Sequence, residues 1–222
     1  MPQRSDFRDL TPPQRAILAR FEREERFTRM FYFTGGTLLK ALGIVPRESN
    51  DLDFFTFPGT DALHYRAVLT AMRGMLAEMF GPSGFDETDR GFTVKESGTI
   101  VDCIFDVVPL LEDTEHYGNL AVASIRDMAA CKAGALCSRD EVKDYIDIAF
   151  LTQKEGWLLA DLERLAEEKY RLGTVTEEKL LEELLHKRDL FTVEPERFLR
   201  DGAASARLVR EQIEFLLTHS SL

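Results

Sequence analysis

The stretch FTGGTLLKALGIVPRESNDLDFF, Phe33 to Phe55, restricts the possible fold more than any other part of the chain. The apolar, aromatic MFYF that leads into it (Met30 to Phe33) reads as a buried strand ending at Gly35. A helix is expected from about Thr37 through LLKAL to Gly43, and DLDFFTF returns as a second strand closed by Pro58-Gly59. Gly35, Gly36 and Thr37 then sit where a strand turns into a helix. Glycine lets the backbone approach a ligand closely, the first turn of a helix offers free amides to an anion, and Thr37 adds a hydroxyl. The turn is a candidate phosphate cradle, although strand–glycine–helix turns also serve as plain connectors.

Asp51 and Asp53 stand two apart on the second strand, so both carboxylates point to one face. Two such charges repel unless a cation neutralises them. Mg²⁺ takes one or two carboxylates together with substrate phosphates. A solvated strand edge is the plainer reading, but Leu52, Phe54, Phe55 and Phe57 imply burial. A further acid comes from TIVDCIFDVV, where Asp102 and Asp106 share one face of an expected strand. Either can bind a second metal and take the proton of an attacking hydroxyl, or can simply face water.

Two helical segments complete the set. In SIRDMAACKAGALC, Ile125, Met128, Ala129, Lys132 and Leu136 form one helical stripe, which places Lys132 on an apolar face. Its ammonium either snorkels outward or meets an anion such as a triphosphate. The next segment, DEVKDYIDIAFL, is apolar nearly all round, so Asp144 and Asp147 are not both solvated. Asp147 has Lys143 four residues earlier as a local partner, or else orients Lys132 or contacts a nucleotide.

The expected order is therefore a small α+β sheet module followed by an all-helical lobe from Ser124 onward. Thr11, Pro12 and Gln14 mark the start of a helix running through TPPQRAILARFEREERF, and Thr60 is a candidate cap for the helix DALHYRAVLTAMRGMLAEMF. GFTVKES and TIVDCIFDVV form a hairpin around Ser97-Gly98, LAVAS is a further short strand, and the last helix is PERFLRDGAASARLVREQIEFLL. With 222 residues, 44% of them hydrophobic, the chain can bury a core in one domain with an appended lobe. The net charge of −11 argues against non-specific tracking along a nucleic acid, but leaves room for an end held in a local basic pocket. The arginines of RAILARFEREERFTRM read as a solvated helix face with Glu partners. Cys103, Cys131 and Cys137 read as reduced core cysteines. With no leader-like N-terminus and no membrane-length apolar run, a cytoplasmic protein is expected.

GGT…R.S.DLDFF, then G…VD…PLL, then S..D..A.K..AL..R...KDYID...L resembles the AbiEii/AbiGii (MenT-like) toxin family of polymerase-β-type nucleotidyltransferases, from about Phe31 to Leu151. The resemblance implies a nucleotidyltransferase fold, a short mixed sheet flanked by helices, with a C-terminal helical bundle. On this footing residues 1–124 are the nucleotidyltransferase core, and residues 125–222 a helical lobe that brings Lys132 and Asp147 to the site. NTP would be the substrate and Mg²⁺ the cofactor. Asp51, Asp53 and Asp102 would hold metal, Lys132 the triphosphate and Gly35, Gly36 and Thr37 the phosphates, with Asp147 the essential late aspartate. Members are usually the toxin of a type IV toxin–antitoxin pair, and some MenT relatives add nucleotides to the acceptor end of tRNA. A cognate antitoxin and a tRNA acceptor are the partners so implied.

Other readings keep their place. The same site can modify a small molecule or a protein hydroxyl, and the acidic surface suits a cationic acceptor. The fold can also persist as a non-catalytic NTP-binding remnant. A haloacid-dehalogenase-like phosphatase shares Asp-x-Asp, but there the first Asp ends a hydrophobic strand, whereas PRESN precedes it here.

Overall fold

The structure is a computed structural model, and it describes residues 7–58, 62–193, 199–200 and 202–220. The chain forms two compact units. The first takes the chain up to Leu42 and then Ser49–Ala123; the second takes Gly43–Glu48 and everything from Ser124 onward.

The first unit is built on a mixed sheet. Its strands are β1 (Phe31–Thr34), β2 (Leu52–Thr56), β3 (Phe85–Thr88), β4 (Gly91–Glu96), β5 (Thr99–Ile104), β6 (Glu115–Tyr117) and β7 (Leu120–Val122), in spatial order β3-β4-β5-β2-β1-β7-β6. β1 runs antiparallel to β2 and parallel to β7, while β2 and β5 are parallel. β4 and β5 form the expected hairpin, with Ser97 and Gly98 both at positive φ in the turn. The expected LAVAS strand is β7. β3 and β6 are short, polar edge strands whose FDET and EHY carry too little hydrophobic alternation to be read from sequence. β5 ends at Ile104, earlier than expected, so Asp106 lies beyond the strand.

Alternation along β2 and β5 leaves one face buried through Leu52, Phe54, Val101 and Cys103, and the other half-exposed. The buried face meets α1 (Pro12–Arg23) and α2 (Glu25–Met30) in a cluster of phenylalanines. Phe21 stacks on Phe27 at 3.9 Å between centroids, and both rings meet Phe54 edge-on at 5.2 and 4.9 Å. Each buried ring contributes about 1.5–3 kcal/mol. The single helix expected here is two. Glu24 leaves the helical region at φ −90°, ψ 99°, and its carboxylate caps Arg26 N–H to start the second, so Met30 is helical rather than part of β1. Three of these arginines pair with Glu as expected, Arg26 with Glu24 and Glu78, Arg29 with Glu25, and Arg20 with Glu96, while Arg15 donates to the Phe7 carbonyl at 3.4 Å.

α3 (Gly35–Ala41) begins directly at the glycines, two residues before the expected start. α4 (Ala62–Phe80) completes the unit; its expected cap, Thr60, lies outside the described residues.

The second unit is helical: α5 (Ile125–Ser138), α6 (Val142–Glu155), α7 (Leu159–Tyr170), α8 (Glu177–Val193) and α9 (Gly202–Thr218). Leu136, Ile146, Leu162, Leu165, Leu180, Leu184, Val209 and Ile213 fill its core. Ser124 caps α5 at Asp127, whose carboxylate also takes the buried ammonium of Lys169 at 2.7 Å. The last helix starts at Gly202 rather than at Pro195. Leu199 instead forms an isolated bridge with Arg47, and residues 194–198 lie outside the described part. The segment Gly43–Glu48 joins this unit through that bridge, through Arg200 N–H donating to the Pro46 carbonyl, and through the Arg200–Glu48 ion pair.

Candidate active site

Strand register assembles the acids. Thr34 faces Asp53 across β1 and β2, Asp53 faces Asp102 across β2 and β5, and Asp102 faces Thr93 across β5 and β4. Residues paired in this way project to the same side of a sheet. One polar row, Thr34–Asp53–Asp102–Thr93, therefore crosses four strands, buried at Thr34 and half-buried at the other three. This corrects the inference of burial drawn from the flanking phenylalanines: Leu52 and Phe54 are buried, but they point away from the acids. Thr93 donates its hydroxyl proton to Asp102 Oδ1 at 2.6 Å, which fixes one oxygen of that carboxylate. Asp51 precedes β2 and is half-buried.

Gly35 closes the row at its Thr34 end. Its φ of +81° is a conformation that residues with a Cβ rarely adopt. A Cβ built there would come within 2.7 Å of Asp53 Cγ and overlap the outer carboxylate oxygen. The first backbone turn of α3 is thus packed against the Asp53 carboxylate, and only glycine allows it.

Of the cradle residues, Gly36 and Thr37 are buried. The Thr37 hydroxyl donates to the Asp51 carbonyl and shares a hydrogen bond with Ser49 Oγ at 2.9 Å. It holds the segment that carries the acids. Lys40 and Gln14 do the same from below: Lys40 Nζ donates to the Ser49 carbonyl at 2.9 Å, and Gln14 Nε2 to the carbonyls of Ser49 and Asn50 at 3.0 and 3.2 Å. Sequence reasoning did not single out either residue for this role. The only signal for Gln14 was its place in a helix cap.

The alternative acid, Asp106, is occupied locally. Its carboxylate accepts from Val108 N–H at 3.1 Å, and its backbone carbonyl accepts from the Thr56 hydroxyl at 3.0 Å.

In the helical unit, Lys132 is buried among carboxylates. Its ammonium meets Asp144 Oδ1 at 2.9 Å and Asp147 Oδ2 at 2.6 Å. Arg139 grips Asp144 through Nε and Nη2 at 2.6 and 2.9 Å, and Arg47 grips Asp147 through Nε and Nη2 at 2.6 and 2.7 Å. Asp147 therefore turns to Lys132 and to a residue 100 positions away, not to Lys143. Arg47 is the arginine of the motif GGT…R.S.DLDFF, but nothing local in the sequence marks its partner. Three cationic side chains here meet two carboxylates. Burial pushes the Asp147 pKa up, but the charges of Lys132 and Arg47 outweigh it and hold the carboxyl below its ordinary range. Burial likewise opposes the Lys132 ammonium, and Asp147 and then Asp144 hold its pKa above the ordinary value.

The acidic row fits a hard divalent cation. Its donors are carboxylate oxygens, two of them side by side on adjacent strands, with a glycine in place of any side chain that would crowd Asp53. Among the described residues no three His, Cys, Asp or Glu side chains close into a metal cage on their own. Mg²⁺ needs no such cage, since it keeps water and takes phosphate oxygens beside one or two carboxylates. No helix among the described residues is long and apolar enough to cross a membrane.

Residues 16–219 match the family model described as nucleotidyl transferase AbiEii toxin, type IV toxin–antitoxin system. An uncharacterised protein of Aquifex aeolicus (strain VF5) is 32% identical over 153 residues, which span 64% of this chain and 66%, just under two thirds, of that protein. The crystal structure of JHP933 from Helicobacter pylori shares the fold at a TM-score of 0.51 and 17% identity, covering 91% of this chain and 90% of that one. A nucleotidyltransferase candidate of the same organism gives the same TM-score and identity over 91% and 93%.

Proposed function

The chain belongs to the AbiEii nucleotidyl transferase toxin family, and we propose that it transfers a nucleoside monophosphate from an NTP to an acceptor hydroxyl with Mg²⁺ as cofactor. The observation that carries this reading is the row Thr34–Asp53–Asp102–Thr93, with the Gly35 backbone packed on Asp53. Asp51, Asp53 and Asp102 are the residues that would hold Mg²⁺, which when bound supplies positive charge against the phosphates and lowers the pKa of an attacking hydroxyl. Chemistry of this kind depends mainly on positioning and charge stabilisation. Thr93 orients Asp102 through one oxygen and leaves the other for metal or proton. Gly35 and Gly36 bring the start of α3 to the phosphates. Thr37 acts one step back, by fixing Asp51.

Lys132 is assigned to the β- and γ-phosphates and Asp147 to holding it. Lys132 is buried and its ammonium is held between the Asp144 and Asp147 carboxylates, which fixes where its charge stands. As a family toxin the protein would act in the cytoplasm with a cognate antitoxin, and the acceptor end of tRNA is the first candidate target. The net charge of −11 favours a second reading, a cationic small molecule or a protein as acceptor. Incubating the protein with each labelled NTP and Mg²⁺, once with total tRNA and once with a cell extract freed of nucleic acid, separates the two. Label on tRNA, lost in Asp53→Asn, supports the first; pyrophosphate release only with the nucleic-acid-free extract moves the acceptor to the second; no label and no pyrophosphate in either contradicts both.

A further inference from the structure

Three consecutive carbonyls, those of Ser49, Asn50 and Asp51, lie just before β2 and outside any strand ladder. Each is met by a side chain that is at least 99% buried: Ser49 by Gln14 and Lys40, Asn50 by Gln14, and Asp51 by Thr37. Backbone groups in such a loop ordinarily turn to water. Here α1 and α3 take them instead, at the residues that lead into Asp51 and Asp53.

Gln14 is the informative member. It is the third residue of α1 and forms a reciprocal cap with Thr11: its Oε1 accepts Thr11 N–H at 2.9 Å, and Thr11 Oγ1 accepts Gln14 N–H at 3.3 Å. Glutamate serves equally well at that position of a capping box, because the cap needs only an acceptor. The carbonyls of Ser49 and Asn50 need donors, which an ionised Glu lacks and an amide has. With Thr11 on the oxygen and a carbonyl on each N–H, the Gln14 amide uses its two donors and its acceptor in one orientation.

We infer that Gln14 is a positioning residue for the metal-binding acids, acting with Thr37 and Lys40 to fix the backbone that carries Asp51 and Asp53. The inference rests on the metal-dependent reading given above. The single change Gln14→Glu keeps the acceptor of the cap and removes the donors of the clamp, so the two roles can be told apart.

The test is Mn²⁺ binding to the full-length protein, followed by the paramagnetic resonance of free Mn²⁺ at pH 8, beside thermal melting. Wild-type protein is expected to bind, and Asp53→Asn to lose binding. Gln14→Glu is expected to weaken Mn²⁺ affinity at least tenfold. Thr37→Val, which removes the Asp51 hydrogen bond at nearly constant volume, is expected to weaken it several-fold and serves should Gln14→Glu fail to fold. Leu184→Ala, a core truncation in α8, is expected to lower the melting temperature and leave Mn²⁺ affinity unchanged. Wild-type affinity in the folded clamp variants, or an equal loss in Leu184→Ala, would overturn the inference. Absence of Mn²⁺ binding to the wild type would overturn the metal reading itself.

Discussion

Gly35 and Asp53 occupy each other's space: the position a Cβ would take on Gly35 is filled by the Asp53 carboxylate, with its Cγ 2.7 Å away. Two requirements coincide at one residue. The backbone stands at φ +81°, and the neighbouring carboxylate leaves no room for a methyl group. Gly35→Ala should therefore cost about 1–2 kcal/mol from the left-handed conformation alone. It should also displace Asp53 and lower nucleotide transfer at least hundredfold. Melting and turnover measured on the same preparation check this; a stable variant with wild-type turnover would show that the contact has no bearing on the reaction.

Asp102 and Asp106 should separate cleanly. Asp102 lies in the polar row beside Asp53, while the Asp106 carboxylate closes its own turn onto Val108 N–H. Asp102→Asn is expected to reduce turnover by three orders of magnitude or more with little change in melting temperature. Asp106→Asn, whose amide oxygen still accepts from Val108, should stay within a few-fold of wild type. The reverse pattern would move the third carboxylate to Asp106.

Asp147→Ala would strip Lys132 and Arg47 of a shared carboxylate inside the helical unit. Breaking one partner out of a buried ion cluster typically costs about 3–5 kcal/mol. Urea unfolding should show a loss of that order, whereas removing the exposed Arg29–Glu25 pair should change stability by less than about 1 kcal/mol. Equal effects would mean the cluster contributes no more than a surface pair.

The same carboxylates set an acid limit. The pKa values of Asp144 and Asp147 lie below their ordinary 3.8 in the folded protein. The unfolded chain therefore takes up protons first as pH falls, and stability decreases. Their contribution is complete above about pH 4 and is lost progressively below it. Lys132 acts at the other end: its pKa is raised from 10.5, so its contribution is complete below that value and is lost as pH rises beyond it. Urea midpoints of wild type and Asp147→Asn across the acid range should converge as pH drops below 4. A constant gap would contradict the assignment.

Much of the sheet unit was legible because its signals are local. MFYF, the two glycines and DLDFFTF each encode an element within a few residues, and Thr11 with Gln14 marks a helix start that the structure forms as a capping box. Edge strands β3 and β6 were not legible, since exposed polar strands carry no hydrophobic alternation. The site divides along the same line. Spacing singles out Asp51 and Asp53 as candidates, but Asp51 precedes β2 instead of sharing the strand, and the pairing of Asp53 with Asp102 depends on a parallel register between strands far apart in sequence. The inward turn of Thr37, the clamp by Gln14 and the grip of Arg47 on Asp147 are long-range choices of partner, which no window of sequence contains. Gly43–Glu48 shows the same limit: it lies between α3 and β2 in sequence, yet belongs with the helices.

Metal-dependent transfer from NTP at the Asp53 row is read most directly through its leaving group, pyrophosphate. Pyrophosphate release from each NTP in the presence of total tRNA, with and without Mg²⁺, should be compared for wild type and Asp53→Asn. Release is expected only from the wild type and only with Mg²⁺, while both proteins melt within a few degrees of each other. Release that persists in Asp53→Asn, or that is indifferent to Mg²⁺, would contradict metal-dependent transfer at this row.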